Sequence, residues 1–366
     1  MPAVNEAPVT AAAAVRADPA RLDDVFATLR GQVTAGLLPS AALAIGDANG
    51  EIRSEAYGEG GRSVARETNF FLASITKPIF AMAFMQLVED GAVGLRQPIT
   101  ELLPEFSGGD KALVTPWHLL THTSGVADVP PERIVRQRPS AKVMTRLVTV
   151  APLRFPPGTR WEYNSASFYL LAAIIERISG MPYTRFLAER LTGPLGMRTT
   201  FDPRRAGRPI VAVHGAGVDN RVMRFFVLRY MAGAALPGGG LFGNLEDLAR
   251  FGAATLAPVR HGERLVPLRP ETIEEMARDQ THGEVRGVFD GEERAVHFGL
   301  GWGKPTLMRE LPGSASVISH GGAAGGRLWI DPEIGLVLVF LTNRWSADRG
   351  PEIEAVRGVY QALDRG

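Results

Sequence analysis

The sequence has no cysteine among its 366 residues. This absence excludes disulfide bonds, thiol nucleophiles and cysteine-ligated zinc sites. It leaves the compartment open, because a chain without thiols tolerates either redox condition. The formal net charge is +1, from 40 basic and 39 acidic residues. Such a balance produces no long-range field toward nucleic acid or an anionic membrane, so we expect no nucleic-acid partner.

Long hydrophobic runs are absent as well. None approaches the roughly 18 residues that a membrane helix needs. The longest, IGLVLVFLT at 334–342, has the length and composition of a strand. The N-terminus has no basic residue before Arg16, and its apolar run Ala11–Val15 is too short for the core of a signal peptide. The sequence therefore predicts a cytoplasmic protein without a membrane partner, and it leaves the oligomeric state open.

Helix and strand patterns occupy different parts of the chain. Residues 21–36 place apolar side chains at helical spacing, and a hairpin follows around Asn49-Gly50. The middle contains strong helical segments such as residues 165–178, although residues 193–240 are predicted to be rich in loops. Strand patterns return at the end, beginning with VHFGLGWGK at 296–304. The connections between these last strands are too short for helical crossovers, which predicts antiparallel pairing.

This arrangement predicts an α+β fold, in which an antiparallel β-sheet flanked by helices is built from both termini and carries an inserted, mainly helical domain. We expect a flexible N-terminal segment at residues 1–20. An α/β sheet domain is expected from residues 21–94 together with 295–366, and the inserted helical domain from residues 95–294.

One apolar segment contains two residues that a core helix would normally avoid. FFLASITKPIFAMAFMQLVEDGAV, residues 70–93, has Ser74 and Lys77 near its start. Three residues is nearly one helical turn, so both side chains can project to the same side. The free N–H groups and positive dipole of the helix start, together with apolar surroundings, favour a neutral amine there. A neutral amine beside a hydroxyl is a base beside a nucleophile, although a capping serine and a snorkelling lysine would also fit.

Two further signals lie downstream. WEYNSASFYL places Tyr163 and Ser165 just before a helix, where a phenol and a hydroxyl can relay protons. SVISHGGAAGGRLW places paired glycines at a strand end, where another group can approach the backbone closely and an edge N–H can stabilise an oxyanion. Taken singly, each signal also fits ordinary structure, as a buried tyrosine or as a glycine turn beside a histidine.

In this order the three signals resemble the serine β-lactamase and penicillin-binding-protein superfamily, whose signature set contains S-x-x-K, a second polar triplet and K-T-G. The resemblance extends over about residues 20–364, and LASITKPI, LLTHTSGV and PGTRWEYNSASFYL all look like stretches of those proteins. The branch it is most similar to contains class C β-lactamases, DD-peptidases and family VIII carboxylesterases, with the esterases most similar.

The resemblance implies a role for each matching residue. Ser74 corresponds to the nucleophile, Lys77 to its base partner, and Tyr163 to the tyrosine of the Y-x-N motif. The backbone N–H groups of Ser74 and Ala323 would form the oxyanion hole. Whether Lys77 or Tyr163 accepts the serine proton stays open, because a proton shared among interacting titratable groups cannot be assigned to one of them. No metal or cofactor is implied. The residues predicted to bind substrate are Ser165, His320, Gly321 and Gly322.

Two departures from the family pattern bear on the substrate. The third position of Y-x-N is Ser165, which lacks the amide that would hold an acylamino side chain. K-T-G becomes His320-Gly321-Gly322, which lacks the cation and the hydroxyl that would receive a β-lactam carboxylate. Arg327 carries a charge nearby in sequence, but no sequence argument places it in the pocket. The sequence therefore predicts a carboxylesterase that acts on small esters. The alternatives are a β-lactamase, a D-amino-acid peptidase or acyl transferase on the same site, or a catalytically inactive binding protein of this fold.

Overall fold

The main sheet is assembled from strands near both ends of the chain. The computed structural model describes residues 15–58, 64–130, 133–134, 137–205, 207–215, 221–260, 262–345 and 348–363. Of the predicted flexible segment, residues 1–14 lie outside the described residues, and the first helix begins at Pro19 with Asp18 as its cap. The helices and strands named below therefore belong to the described ranges.

The sheet has five strands, and its neighbours in space come from opposite ends of the sequence. Along the chain the strands are β1 (Ser40–Asp47), β2 (Gly50–Gly58), β3 (Phe70–Phe71), β4 (His214–Gly215), β5 (Phe242–Gly243), β6 (Val259–Arg260), β7 (Glu263–Arg264), β8 (Arg286–Phe289), β9 (Glu292–Ala295), β10 (Ile318–Gly321), β11 (Arg327–Asp331), β12 (Leu336–Thr342) and β13 (Arg344–Trp345). In the main sheet their order is β10-β11-β12-β1-β2, and every neighbouring pair is antiparallel. The predicted antiparallel sheet is confirmed.

Helices cover both faces of this sheet and fill the middle of the sequence. They are α1 (Pro19–Thr34), α2 (Thr76–Glu89), α3 (Ile99–Leu102), α4 (Pro116–Leu120), α5 (Ala141–Val150), α6 (Ala166–Ser179), α7 (Tyr183–Leu187), α8 (Arg221–Ala234), α9 (Leu245–Leu256), α10 (Pro270–Ala277) and α11 (Gly350–Ala362). Among the described residues, no helix is both long and apolar enough to cross a bilayer.

Successive side chains of the central strands point to opposite faces of the sheet, and both faces are covered by helices. In β12, Leu336, Leu338 and Phe340 pack with α1 and α11 in one hydrophobic cluster. Val337 and Val339 point the other way, into the larger cluster that contains α2, α6 and α9. A strand whose two faces are both covered needs apolar residues at every position, as IGLVLVFLT provides.

The helix α2 is the element that links the sheet to the helical region. Every residue from Thr76 to Leu87 is buried. The helices α6 and α9 share one hydrophobic cluster with α2 and surround it. A helix with apolar residues on every face is stable only when it is enclosed in this way. The nucleophile candidate therefore sits at the start of an element with little freedom to move. The division into domains at residues 94 and 295 stays a prediction.

Two of the sequence predictions are wrong in detail. Residues 193–240 contain the helix α8, whose Leu228, Met231 and Ala232 pack near Phe71 and Phe242. VHFGLGWGK forms an isolated bridge between Phe298 and Gly303 in place of a strand. Gly301 has φ +80° and turns the chain back, so the apparent alternation comes from a turn whose glycines separate buried apolar residues.

Candidate active site

Ser74 lies in a short 3₁₀ turn, Ala73–Ile75, immediately before α2. The turn is held in place because β3 pairs with β5, and the N–H of Leu72 donates to the carbonyl of Leu241 at 2.9 Å. Ala73 has φ +47° although it is not a glycine. Left-handed backbone at such a residue costs of order 1 kcal/mol or more, and it persists only where the surroundings fix it. The strain therefore lies next to the hydroxyl of Ser74.

Lys77 is fully buried, and its Nζ atom lies between two serine hydroxyls. The Nζ atom lies 3.2 Å from Ser74 Oγ and 3.1 Å from Ser165 Oγ. It also donates to the carbonyl of Gly238 at 2.7 Å. Within the described part of the chain, no carboxylate lies within ion-pair distance of Nζ. A neutral amine would donate to two of these oxygens and accept the hydrogen of the third, which is the arrangement that a base needs.

Tyr163 covers the same amine with the face of its ring. Lys77 Nζ lies 4.8 Å from the ring centroid, within the range of a cation–π contact. Tyr163 is 39% exposed, so part of it faces solvent. Its hydroxyl makes no hydrogen bond to Ser74 or Lys77 within the described residues. The structure therefore brings Tyr163 to the amine through its ring.

The strand end at His320-Gly321-Gly322 packs directly onto the turn that carries Ser74. The strand β10 is at the edge of the main sheet, and a Cβ atom on Gly322 would lie 2.4 Å from the carbonyl oxygen of Leu72. Only a glycine fits this close approach. The N–H groups of Ser74 and Ala323 have no backbone hydrogen-bond partner in the described ranges. Both N–H groups are therefore available as donors, and their role as an oxyanion hole stays a prediction.

This geometry agrees with comparisons to known proteins. A family model described as Beta-lactamase matches residues 23–361. The chain belongs to the β-lactamase family. The predicted superfamily resemblance and the β-lactamase/transpeptidase-like fold are both confirmed, and the chain is a serine hydrolase.

The relatives include an esterase and a peptidase. Esterase EstB from Burkholderia gladioli is 31% identical over 94% of this chain and 95% of the relative. D-alanyl-D-alanine-carboxypeptidase/endopeptidase AmpH from Escherichia coli K12 is 28% identical over 70% of this chain and 65% of the relative. A penicillin-binding-protein homologue from Caulobacter crescentus superimposes with a TM-score of 0.80 at 18% identity, covering 96% of this chain and all of that one, and supports the fold.

His320 stands where the resemblance to this β-lactamase family implies a lysine, and it is neutral. The side chain is 7% exposed. Burial, with a smaller contribution from the charge of Lys77, lowers the pKa of His320 to about 3. Nδ1 lies 2.9 Å from the carbonyl oxygen of Gly321. Because a carbonyl can only accept, Nδ1 carries the hydrogen and Nε2 is left as an acceptor. The strand end therefore has no positive charge at this position.

Arg327 does not replace the missing cation. Its Nε lies 2.6 Å from Glu352 Oε1, and both side chains are 7% exposed. Glu352 belongs to α11, which packs on one face of the sheet. The residues beside Ser74, Leu72 and Ile75, belong to the core on the opposite face. The guanidinium is thus neutralised on the far side of the sheet from the hydroxyl.

Asp128 is a site residue that the sequence analysis missed. Its carboxylate accepts the backbone N–H of Ser165 at 2.9 and 3.0 Å and that of Ala166 at 2.7 Å. Desolvation by the surrounding protein raises the pKa of Asp128, and these hydrogen bonds and the charge of Lys77 oppose that shift. The residue as a whole is exposed, so Asp128 lies at the protein surface although its carboxylate binds the backbone.

His122 is a second missed residue, and it holds the segment that carries Tyr163. Its carbonyl accepts the N–H of Glu162 at 3.0 Å, and its Nδ1 lies 3.4 Å from the N of Asn164. The rings of His122 and Tyr163 lie 4.6 Å apart. Burial, followed by the charge of Lys77, lowers the pKa of His122 well below its usual value. In the part of the chain that the structure describes, no three His, Asp or Glu side chains form a group that could hold a metal ion.

Proposed function

We propose that this protein is a carboxylesterase that hydrolyses small carboxylic esters through an acyl-enzyme on Ser74. The observation that carries the proposal is the short contact network in which Lys77 Nζ reaches Ser74 Oγ at 3.2 Å, beside a strand end whose His320 is buried and neutral. The network supplies a nucleophile and a base. The neutral strand end selects substrates without a carboxylate at that place.

The proposed reaction begins with attack of Ser74 Oγ on the ester carbonyl. Lys77 accepts the hydroxyl proton, since no other base among the described residues contacts this oxygen. The N–H groups of Ser74 and Ala323 stabilise the oxyanion, an effect worth roughly 100-fold or more in rate for a single donor. Loss of the alcohol leaves an acyl group on Ser74, and water then releases the acid by the same steps in reverse order.

Charge in the cleft supports an ester without a carboxylate. His320 is uncharged, Arg327 is paired with Glu352, and the carboxylate of Asp128 lies beside Ser165. A strand end of this kind binds an anionic substrate group poorly, because His320 supplies no positive charge there to offset the loss of its hydration. We also expect Ser165, Gly321 and Gly322 to contact the substrate.

The name of one relative supports the esterase proposal, and the name of another supports a peptidase as a second candidate function. EstB is called an esterase and matches nearly the whole chain. AmpH is called a D-alanyl-D-alanine carboxypeptidase and endopeptidase and matches 70% of it. A D-amino-acid peptidase or β-lactamase on the same site is therefore the alternative. The cytoplasmic location stays a prediction of the sequence.

A comparison of two chromogenic substrates tests the proposal. We expect kcat/KM for p-nitrophenyl butyrate to exceed that for a chromogenic cephalosporin by at least about 100-fold. Ser74→Ala should abolish turnover and labelling by a fluorophosphonate. Ser167→Ala should retain both, because the Ser167 hydroxyl contacts Ser124 at 3.2 Å and makes no contact with Lys77.

Three outcomes would contradict parts of the proposal. Cephalosporin turnover as fast as ester turnover would favour the peptidase and β-lactamase alternative. Ester turnover that survives in Ser74→Ala would mean that another residue is the nucleophile. A loss of only a few-fold in Lys77→Ala would assign the role of base to Tyr163.

A further inference from the structure

Lys77 Nζ contacts two serine hydroxyls, and one of them belongs to Ser74, the proposed nucleophile. We propose that the other, Ser165, is the proton relay that passes the proton from Lys77 to the departing alcohol. This inference rests on the proposed esterase function of the same site. It assigns to Ser165 a step in the reaction beyond contact with the substrate.

The distances support a relay through Ser165. Lys77 Nζ is nearly equidistant from the two oxygens, at 3.2 Å from Ser74 Oγ and 3.1 Å from Ser165 Oγ. Both distances allow direct proton transfer. Tyr163 turns its ring face to the same Nζ at 4.8 Å, and its hydroxyl makes no hydrogen bond to Lys77 among the described residues. The hydroxyl of Ser165 is therefore the better connected of the two candidate donors.

A second, independent observation explains how Ser165 is free to do this. Ser165 is the N-cap of α6, a position at which a serine hydroxyl normally accepts a backbone N–H from the first turn. Here the Ser165 side chain makes no capping hydrogen bond. The N–H of Ser167, which such a cap would bind, donates to the side-chain oxygen of Asn164 at 2.9 Å in its place. Asn164 is thus a positioning residue that leaves the Ser165 hydroxyl available to Lys77.

The proposed step balances in atoms and charge. After Ser74 Oγ attacks, Lys77 holds the serine proton as an ammonium. As the bond from the carbonyl carbon to the alkoxy oxygen breaks, that oxygen takes the hydrogen of Ser165 Oγ. Ser165 Oγ takes a hydrogen from Lys77 Nζ at the same time. The alcohol leaves neutral, Lys77 returns to an uncharged amine, Ser165 is unchanged, and the acyl group remains on Ser74.

A leaving-group comparison tests the relay. A p-nitrophenolate departs without protonation, whereas an alkoxide needs a proton as it leaves. We therefore expect Ser165→Ala to lower the ratio of kcat/KM for ethyl butyrate to kcat/KM for p-nitrophenyl butyrate by roughly 100-fold, a normal size for general acid catalysis. The two esters form the same acyl-enzyme, and kcat/KM reports acylation alone, so the ratio isolates the departure of the alcohol.

Matched variants distinguish this role from a structural one. Ser167→Ala makes the same change two residues later in the same helix and should leave the ratio unchanged. Ser165→Thr keeps a hydroxyl, so its ratio should stay close to that of the unaltered protein. This variant tests the relay even if Ser165→Ala does not fold. Asn164→Ala should lower the ratio in the same direction, because the Ser165 hydroxyl can then turn to accept the N–H of Ser167.

The outcomes separate the relay from the proposed function. If Ser165→Ala slows both esters equally, Ser165 is not the relay, although the esterase proposal stands. If Tyr163→Phe and not Ser165→Ala lowers the ratio, the phenol performs this step and our inference is wrong. If the unaltered protein hydrolyses neither ester, the esterase proposal itself fails.

Discussion

Substitution of Gly322 by alanine should disable the site without touching a side chain in it. The added Cβ would lie 2.4 Å from the carbonyl oxygen of Leu72, whereas Cβ atoms essentially never come within 3.0 Å of another atom. The strand end must therefore move away from the 3₁₀ turn by at least 0.6 Å. Ala323, the next residue, would carry its N–H away from Ser74 by a similar distance.

The expected loss follows from that displacement. A misplacement of about 1 Å costs roughly 100-fold in rate when a group must meet a developing charge. We expect kcat for p-nitrophenyl butyrate to fall by about this factor, with KM changed much less, because the N–H of Ala323 acts mainly in the transition state. The clash itself should lower the free energy of unfolding by about 1–3 kcal/mol, measured by urea denaturation.

Gly252→Ala is the matched control. Its Cβ would also lie 2.4 Å from a neighbour, a methyl group of Val337 in the core beneath α9. This variant should lose comparable stability and keep its kcat, because the clash lies between a helix and the main sheet and not at the turn of Ser74. If Gly322→Ala loses stability as Gly252→Ala does yet keeps kcat within about threefold of the unaltered protein, then the strand end does not control the oxyanion contact.

Two further predictions concern stability. Glu352→Ala leaves the buried Arg327 without its partner and should cost about 3–5 kcal/mol in denaturant unfolding, with Glu352→Gln losing less; equal losses in the two variants would contradict the role of the charge. Burial lowers the pKa of His320 to about 3 and that of His118 to about 4, so the unfolded chain binds more protons below its own histidine pKa. Stability should be full above about pH 6.5 and fall below it, by up to about 1.4 kcal/mol per pH unit from His320 alone. His320→Gln should flatten this slope, and an unchanged slope would contradict the assignment.

Local patterns were sufficient to predict much of the fold. The hairpin at Asn49-Gly50, the buried strand β12 and the helix α6 ending at Gly180 each follow from spacing and turn chemistry within a few residues. The helix α8 was missed. Apolar and basic residues are interleaved in RVMRFFVLRYMAGA, and its apolar side is recognisable only against the cluster near Phe71 that it covers.

Site residues whose partners are distant in sequence were even harder to predict than the helix α8. From the sequence, Ser74, Lys77 and Tyr163 could be named as candidate site residues because S-x-x-K and Y-x-N are short motifs. Asp128 and His122 could not be, because their partners lie 37 and 42 residues away, in Ser165 and Asn164. Nothing in HTSGVAD alone marks its aspartate as the cap of a helix that begins at Ala166. Such a contact exists only after tertiary folding, and one sequence carries no signal for it.

Different elements of the fold carry the residues proposed to activate Ser74 and the residues proposed to recognise substrate charge. In the proposed mechanism, activation of the Ser74 hydroxyl depends on Lys77, the carbonyl of Gly238 and the start of α6, all on the helical side of the site. We propose that recognition of substrate charge depends on the strand end, where His320 is buried and neutral and Gly322 fixes the spacing. Because these two groups of contacts come from different elements, the charge preference can change without moving Ser74 or its base. A cation introduced at position 320 would therefore alter which esters or amides bind, while acylation by Ser74 would still proceed through Lys77.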